Sequence, residues 1–333
     1  MADSPKLRLV TPGGGDGAPS RRAASPARSG GQVGRIISIG GGKGGVGKSL
    51  VSANLGIELA RRGCRVVLVD ADLGGANLHT CLGLNPPRRT LSDFVSHKVD
   101  RIEDVLVDTG IPNLTLVSGA LDHLDAANPH HGQKMRLIRH LQSLPADYAI
   151  LDLGAGTQVN TLDFFLLADH GVLVLVPEHT AVENAYRFVK AAFWRRLRSA
   201  SAVFGVSPLL TKLLDGRRFS GPVEILEAIQ GVDAEAGRQL REQVEAFRLR
   251  LVVNKARVAE DAEVGQGVVA AWRRHFGIQM DLLGTVEYDD DVWRAMRSRR
   301  PLLVAHPDGV AARSLAAIAS RLRSLDVASE AGG

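Results

Sequence analysis

The sequence predicts a doubly wound α/β fold: one mostly parallel sheet of about seven strands between two layers of helices. Three observations predict it. From Arg35 onward, short runs of β-branched and apolar residues alternate with longer stretches of helical periodicity. Most of the short runs are apolar on both faces, as strands covered by helices on both sides must be. Hydrophobic residues make up 45% of the chain and aromatics only 5%, so the core is expected to consist of Val, Leu, Ile and Ala. In such a fold the ligand sits at the carboxyl ends of the strands.

The elements follow in order. Residues 1–34, "MADSPKLRLVTPGGGDGAPSRRAASPARSGGQVG", are rich in Gly, Pro, Ser, Ala and Arg and carry almost no apolar period. They cannot bury enough surface to offset their ordering entropy, which predicts a disordered basic tail. "RIISIG" (35–40) is the first strand, and a helix at 48–62 follows it across a glycine loop. "RVVLVD" (65–70), "LTLVS" (114–118), "YAILDL" (148–153) and "GVLVLV" (171–176) are the next strands, with helices at 132–144 and 181–199. Residues 205–248 hold no strand pattern and read as two or three capped helices, an insertion on the side of the sheet. "RLVVN" (250–254) and "LLGTV" (282–286) complete the sheet, with helices at 261–276 and 310–325. The domain is thus expected to span 35–326, with 327–333 as a flexible tail.

Composition narrows the function classes. Cys64 and Cys81 are too few for a disulfide scaffold and lack C-x-x-C spacing, which fits a reducing cytoplasm. No apolar run reaches the roughly 20 residues of a membrane span, and the N-terminus does not read as a signal peptide. The net charge of +5 admits nucleic acid or an anionic membrane surface, or simply solvated helix faces. The same choice applies to "RAMRSRR" (294–300) with Arg313, Arg321 and Arg323, a candidate nonspecific DNA surface. The basic helix end "FWRRLR" (193–198) reads as solvated charge, Asp163 and Asp169 as helix and loop surface, and His130 and His131 as loop residues. Leu315, Ile318, Leu322 and Leu325 form a stripe that reads as core-facing rather than as a membrane anchor.

The chemistry concentrates in a few stretches. Gly42, Lys43, Gly44, Gly45, Val46, Gly47, Lys48 and Ser49 match G-x-x-x-x-G-K-[ST] between a strand and a helix. Glycines let such a loop curl so that its backbone amides point at one phosphate, and the helix N-terminus adds partial positive charge. Lys48 is then placed to reach the β and γ phosphates, and the Ser49 hydroxyl to ligate Mg²⁺. "YAILDLGAGT" (148–157) ends a buried strand on Asp152, the position of a carboxylate in the Mg²⁺ shell, followed by glycines able to sense the γ-phosphate. "VVLVDADLGGANLH" (66–79) ends another strand on Asp70 and Asp72, where a carboxylate can hold Mg²⁺ through water or orient an attacking water. Asn254 ends "LVVN", and its amide can pair with an adenine edge.

The loop reading K-G-G-V-G-K-S resembles the deviant P-loop of the MinD/ParA family of ATPases. The resemblance runs from about Arg35 to Leu325. It implies that Lys43 crosses a dimer interface to the phosphates of the partner's ATP, that Asp72 orients the hydrolytic water, that Asp70 lies near the metal shell and Asn77 near the dimer face, and that adenine recognition falls at Asn254. Leu153-Gly154 after Asp152 is nearest the flagellar-number regulators of the FlhG/FleN type, although the tail lacks their glutamine-containing activation motif. In place of the family's Ile-Pro after the last core strand stands "TVEYDDD" (285–291), with Glu287 at the proline position. The chain departs here from the family's pattern at Tyr288 and Asp289, next to the expected adenine contact.

The implied function is a homodimerisation switch driven by ATP and Mg²⁺, with slow hydrolysis stimulated by an activating protein partner. It would be cytoplasmic, resting on the nucleoid or peripherally on the membrane, and would position division sites, flagella, chromosomes or other cargo. A ParA-type partition ATPase is the alternative within the family. A P-loop synthetase or kinase would need a second polar cluster beyond the γ-phosphate, and an iron–sulfur carrier would need cysteines in paired spacing.

Overall fold

The computed structural model describes residues 33–72, 75–119, 131–216, 219 and 221–331. Eight strands form one sheet: β1 (Arg35–Gly40), β2 (Val66–Ala71), β3 (Leu106–Asp108), β4 (Leu114–Val117), β5 (Tyr148–Leu153), β6 (His170–Leu175), β7 (Arg248–Ala256) and β8 (Gln279–Glu287). Their order is β3-β4-β2-β5-β1-β6-β7-β8. Every pairing is parallel except β3 with β4. The seven expected strands are all present. The unexpected eighth, β3, has three partly exposed residues at the sheet edge, too short to leave a periodic signal. The connection from β1 runs to β2 on one side and that from its neighbour β6 runs to β7 on the other, which makes the end of β1 the topological switch point where a crevice opens.

The pleat of β1 splits the core in two. Ile36 faces one layer; Ile37 and Ile39 face the other. The first layer is built from helices His131–Gln142, Val159–Leu167, His179–Val203 and Ala259–Phe276. The second holds helices Lys48–Arg61 and Val310–Ala331. Residues 205–248 contain helices Ser207–Gly216, Pro222–Val232 and Ala234–Glu245, whose Leu210, Ile225, Ile229 and Leu240 join the first layer. Asp233 caps the last of these by accepting from the Ala236 amide at 3.0 Å.

Helix Val310–Ala331 faces the core with Leu315, Ile318 and Leu322, each no more than 2% exposed. It runs to Ala331, past the tail boundary expected at 327, because "DVASEA" contains no glycine or proline to stop it. Residues 332–333 and the N-terminal stretch 1–32 lie outside the described residues, as does His130; His131 opens a helix. At the amino ends of the strands Asp326 is buried and binds Tyr148 Oη at 2.9 Å, His170 Nε2 at 2.5 Å and Arg35 Nε at 3.4 Å. Burial and this carboxylate push the Tyr148 phenol up, keeping it neutral. Among the described residues no helix is long and apolar enough to cross a membrane.

Several charges expected at the surface do structural work. Asp163 is clamped by Lys134 and by Arg195 Nε at 2.6 Å. Asp169 accepts from the Ile36 amide at 2.8 Å and so anchors β1. Arg196 of "FWRRLR" donates to the Gln243 carbonyl at 2.6 Å. In the basic cluster, Arg299 donates to Leu84 O at 2.9 Å and Arg321 to Leu283 O at 3.4 Å. The sequence pattern marks these residues as polar, and only the tertiary fold supplies their partners.

Candidate functional site

The site forms where β1, β2, β5 and β7 end together. After β1 the chain passes through residues 41–47 into helix Lys48–Arg61. Gly45 and Gly47 adopt φ of 76° and 95°, a region that favours glycine. Gly42 is needed for closeness: a Cβ there would lie 2.0 Å from the Asn184 carbonyl oxygen. The loop therefore rests on helix His179–Val203 on one side. On the other it is open, since a Cβ at Gly44 or Gly45 would meet nothing within 4 Å. Among the described residues, no protein acceptor takes the amide hydrogens of Lys43 to Gly47. Unpaired amides curled about open space at a helix N-terminus make an anion-binding concavity.

Lys48 is 8% exposed beside this concavity. Burial lowers its pKa, opposed by the Asp152 and Asp72 carboxylates. Asp70 and Asp152 are register partners on β2 and β5, and both are buried. Asp70 accepts from the Leu78 amide at 2.9 Å and from the Asp72 amide at 3.3 Å. Its carboxyl is nevertheless pushed up to about 7, by burial first and then by the Asp152 charge. Burial pushes Asp152 up to about 6 against hydrogen bonds from Ser49 and Ser52, the latter at 2.8 Å. Two buried carboxylates beside a buried ammonium and a serine hydroxyl fit a divalent cation that arrives with a phosphate. Among the described residues, no group of three or more His, Cys, Asp or Glu is placed to hold a metal alone.

Three loops meet here. Asp72 packs so closely on the loop after β5 that a Cβ on Gly154 would lie 2.9 Å from its Oδ1. The Gly156 amide donates to Gly41 O at 3.3 Å. Asn77 is exposed and precedes the short helix Leu78–Cys81; Leu73 and Gly74 lie outside the described residues. Cys64 and Cys81 are both free and buried, and Cys81 is pushed up to about 12 by burial and by Asp152 and Asp70, which leaves it an unreactive thiol.

Asn254 engages the glycine loop and the end of its own strand. Its Nδ2 donates to Val46 O at 2.7 Å and its Oδ1 accepts from the Lys255 amide at 2.9 Å, so both ends of the amide engage backbone. Tyr288 is stacked under Arg257, 3.8 Å from ring centroid to guanidinium carbon. Asp289 caps helix Asp290–Arg297 by accepting from the Asp291 amide at 2.9 Å.

Two residues were not singled out by sequence reasoning. Glu178 takes Lys43 Nζ at 3.1 Å, with Thr180 Oγ1 at 3.3 Å from the same ammonium. Lys255 Nζ donates to Gly45 O at 3.0 Å. The signal for Lys255 was its place beside Asn254 in "LVVNKAR"; for Glu178 the sequence held none.

A family profile described as "CbiA: CobQ/CobB/MinD/ParA nucleotide binding domain" matches residues 37–302. The chain is 34% identical over 158 residues to the antiactivator FleN of Pseudomonas aeruginosa, covering 47% of this chain and 55% of FleN. It is 38% identical over 159 residues to the septum site-determining protein MinD of Synechocystis, covering 46% of this chain and 58% of that protein. The chain thus spans little more than half the length of these curated relatives. Among solved structures it is similar to the MinD of Pyrococcus horikoshii complexed with Mg-ADP. There the TM-score is 0.61 at 22% identity, covering 87% of this chain and 96% of that one, a likeness of fold. FleN and MinD thus stand side by side among its relatives.

Proposed function

The chain belongs to the CobQ/CobB/MinD/ParA nucleotide-binding family, and on that premise we propose that it binds ATP with Mg²⁺, dimerises in that state and hydrolyses the ATP slowly. The amide concavity and Lys48 would hold the β and γ phosphates. Ser49 would ligate the metal, with Asp152 and Asp70 in its outer shell through water. Bound Mg²⁺ supplies positive charge against the phosphate oxygens. Asp72, held against Gly154 at the mouth of the site, would accept a hydrogen bond from the attacking water and orient it.

The observation that carries the switch reading is the division of labour between two lysines of one loop. Lys48 is buried and faces Asp152 and Asp72. Lys43 is half-exposed and engages Glu178 and Thr180 instead. An ammonium not committed to the carboxylates of its own site is available to a second subunit's nucleotide. The relatives, an antiactivator and a septum site-determining protein, support a cytoplasmic spatial regulator worked by an activating partner protein.

Light scattering after size exclusion, with Mg-ATP and an Asp72→Ala background to slow turnover, tests the reading. Asp72→Ala is expected to run as a dimer and the Lys43→Ala, Asp72→Ala double variant as a monomer. A double variant that still dimerises removes Lys43 from the interface.

A further inference from the structure

Four non-glycine residues among those described have positive φ: His97, Asn113, Lys255 and Arg299. Lys255, at 59°, is the one that touches the glycine loop. A lysine in the left-handed region is strained, and such strain persists where surrounding contacts fix it. Here the turn sends the side chain back across the loop, so that Nζ reaches Gly45 O at 3.0 Å. The preceding residue does the same one carbonyl further on: Asn254 Nδ2 reaches Val46 O at 2.7 Å. Contact at this end of β7 is so close that a Cβ on Gly47 would lie 2.2 Å from Asn254 Nδ2.

These two bonds have a directional consequence. In a trans peptide the C=O of one residue and the N–H of the next point to opposite sides of the chain. Holding the carbonyls of Gly45 and Val46 towards β7 therefore turns the amides of Val46 and Gly47 the other way. Those amides have no protein acceptor among the described residues. We propose that Asn254 and Lys255 form a brace that sets the direction of the loop's phosphate-binding amides, with Lys255 a positioning residue for bound nucleotide. Lys255 acts through Gly45 and does not itself touch phosphate. The inference deepens the nucleotide-binding reading and rests on it.

The test compares Lys255→Asn, which tolerates the left-handed backbone but lacks the ammonium, with Lys255→Arg, which keeps a charged donor. Calorimetry with Mg-ADP and Mg-ATP is expected to show Lys255→Asn binding both about tenfold more weakly, a factor expected for one charge-assisted bond. Hydrolysis should show KM raised by the same factor and kcat within about twofold, because the loop holds ground state and transition state alike. Lys255→Arg should recover most of the affinity. Wild-type affinity in Lys255→Asn, or equal weakness in Asn and Arg variants, overturns the brace while leaving nucleotide binding intact. A wild-type protein that binds neither nucleotide overturns both.

Discussion

Lys43 Nζ and Glu178 Oε2 form an ion pair 3.1 Å long within one chain, across the space between the glycine loop and the segment after β6. If Lys43 serves a second subunit, it must first leave this partner. Both side chains are largely solvated, so the pair is worth at most about 1 kcal/mol. Glu178→Gln is therefore expected to lower the protein concentration for ATP-dependent dimerisation by about two- to fivefold, measured by sedimentation on the Asp72→Ala background. A variant that dimerises less readily than its parent would show that Glu178 supports the dimer instead of competing with it.

Lys48→Met keeps the buried stem and removes the ammonium. The expected outcome is a loss of Mg-ATP affinity of about 100-fold, the scale of one desolvated charge on a phosphate, with the fold retained. Unchanged affinity by calorimetry would rule out the phosphate role of the loop.

Asp70 makes the nucleotide-free protein's stability depend on pH. Its folded pKa, about 7, lies above the unfolded value near 3.8. The folded state thus binds the extra proton, and this contribution is complete below about pH 4 and lost as pH rises through 7. Over that span it is worth up to about 4 kcal/mol at 1.36 kcal/mol per unit. Asp152, pushed up to about 6, acts in the same direction. Urea denaturation at pH 5, 6.5 and 8 should show falling stability, and Asp70→Asn should at least halve the slope. An equal slope in the two proteins would mean that Asp70 is charged at neutral pH in the nucleotide-free state.

Asp326→Ala strips one carboxylate from Tyr148, His170 and Arg35 together. Leaving buried donors without their acceptor is expected to cost about 3 kcal/mol of unfolding free energy. Because these groups lie at the amino ends of the strands, Mg-ATP affinity measured below the unfolding transition should not change. A loss under 1 kcal/mol would show the cluster rearranging around water.

What the sequence made legible was local. The loop 42–49 and the strand ends at Asp70, Asp152 and Asn254 each declare themselves within ten residues, through periodicity and glycine spacing. The contacts that complete the site are not local. Lys255 and Gly45 are 210 residues apart and Lys43 and Glu178 are 135 apart. They meet only because β6 runs parallel beside β1 and β7 parallel beside β6. The same reason hid the roles of Asp163 and Asp169, whose partners lie on other elements. Strand β3 was missed because three residues carry no period.

The C-terminal helix spans the sheet from one pole to the other. The Ala311 amide meets Asp289 at the ligand end, and Asp326 is buried at the far end. A fluorescent protein fused beyond Ala331 would therefore hang from the pole opposite the glycine loop, clear of any second subunit that docks over it. An imaging reporter placed there can track the protein in cells without obstructing the face on which the switch is proposed to close.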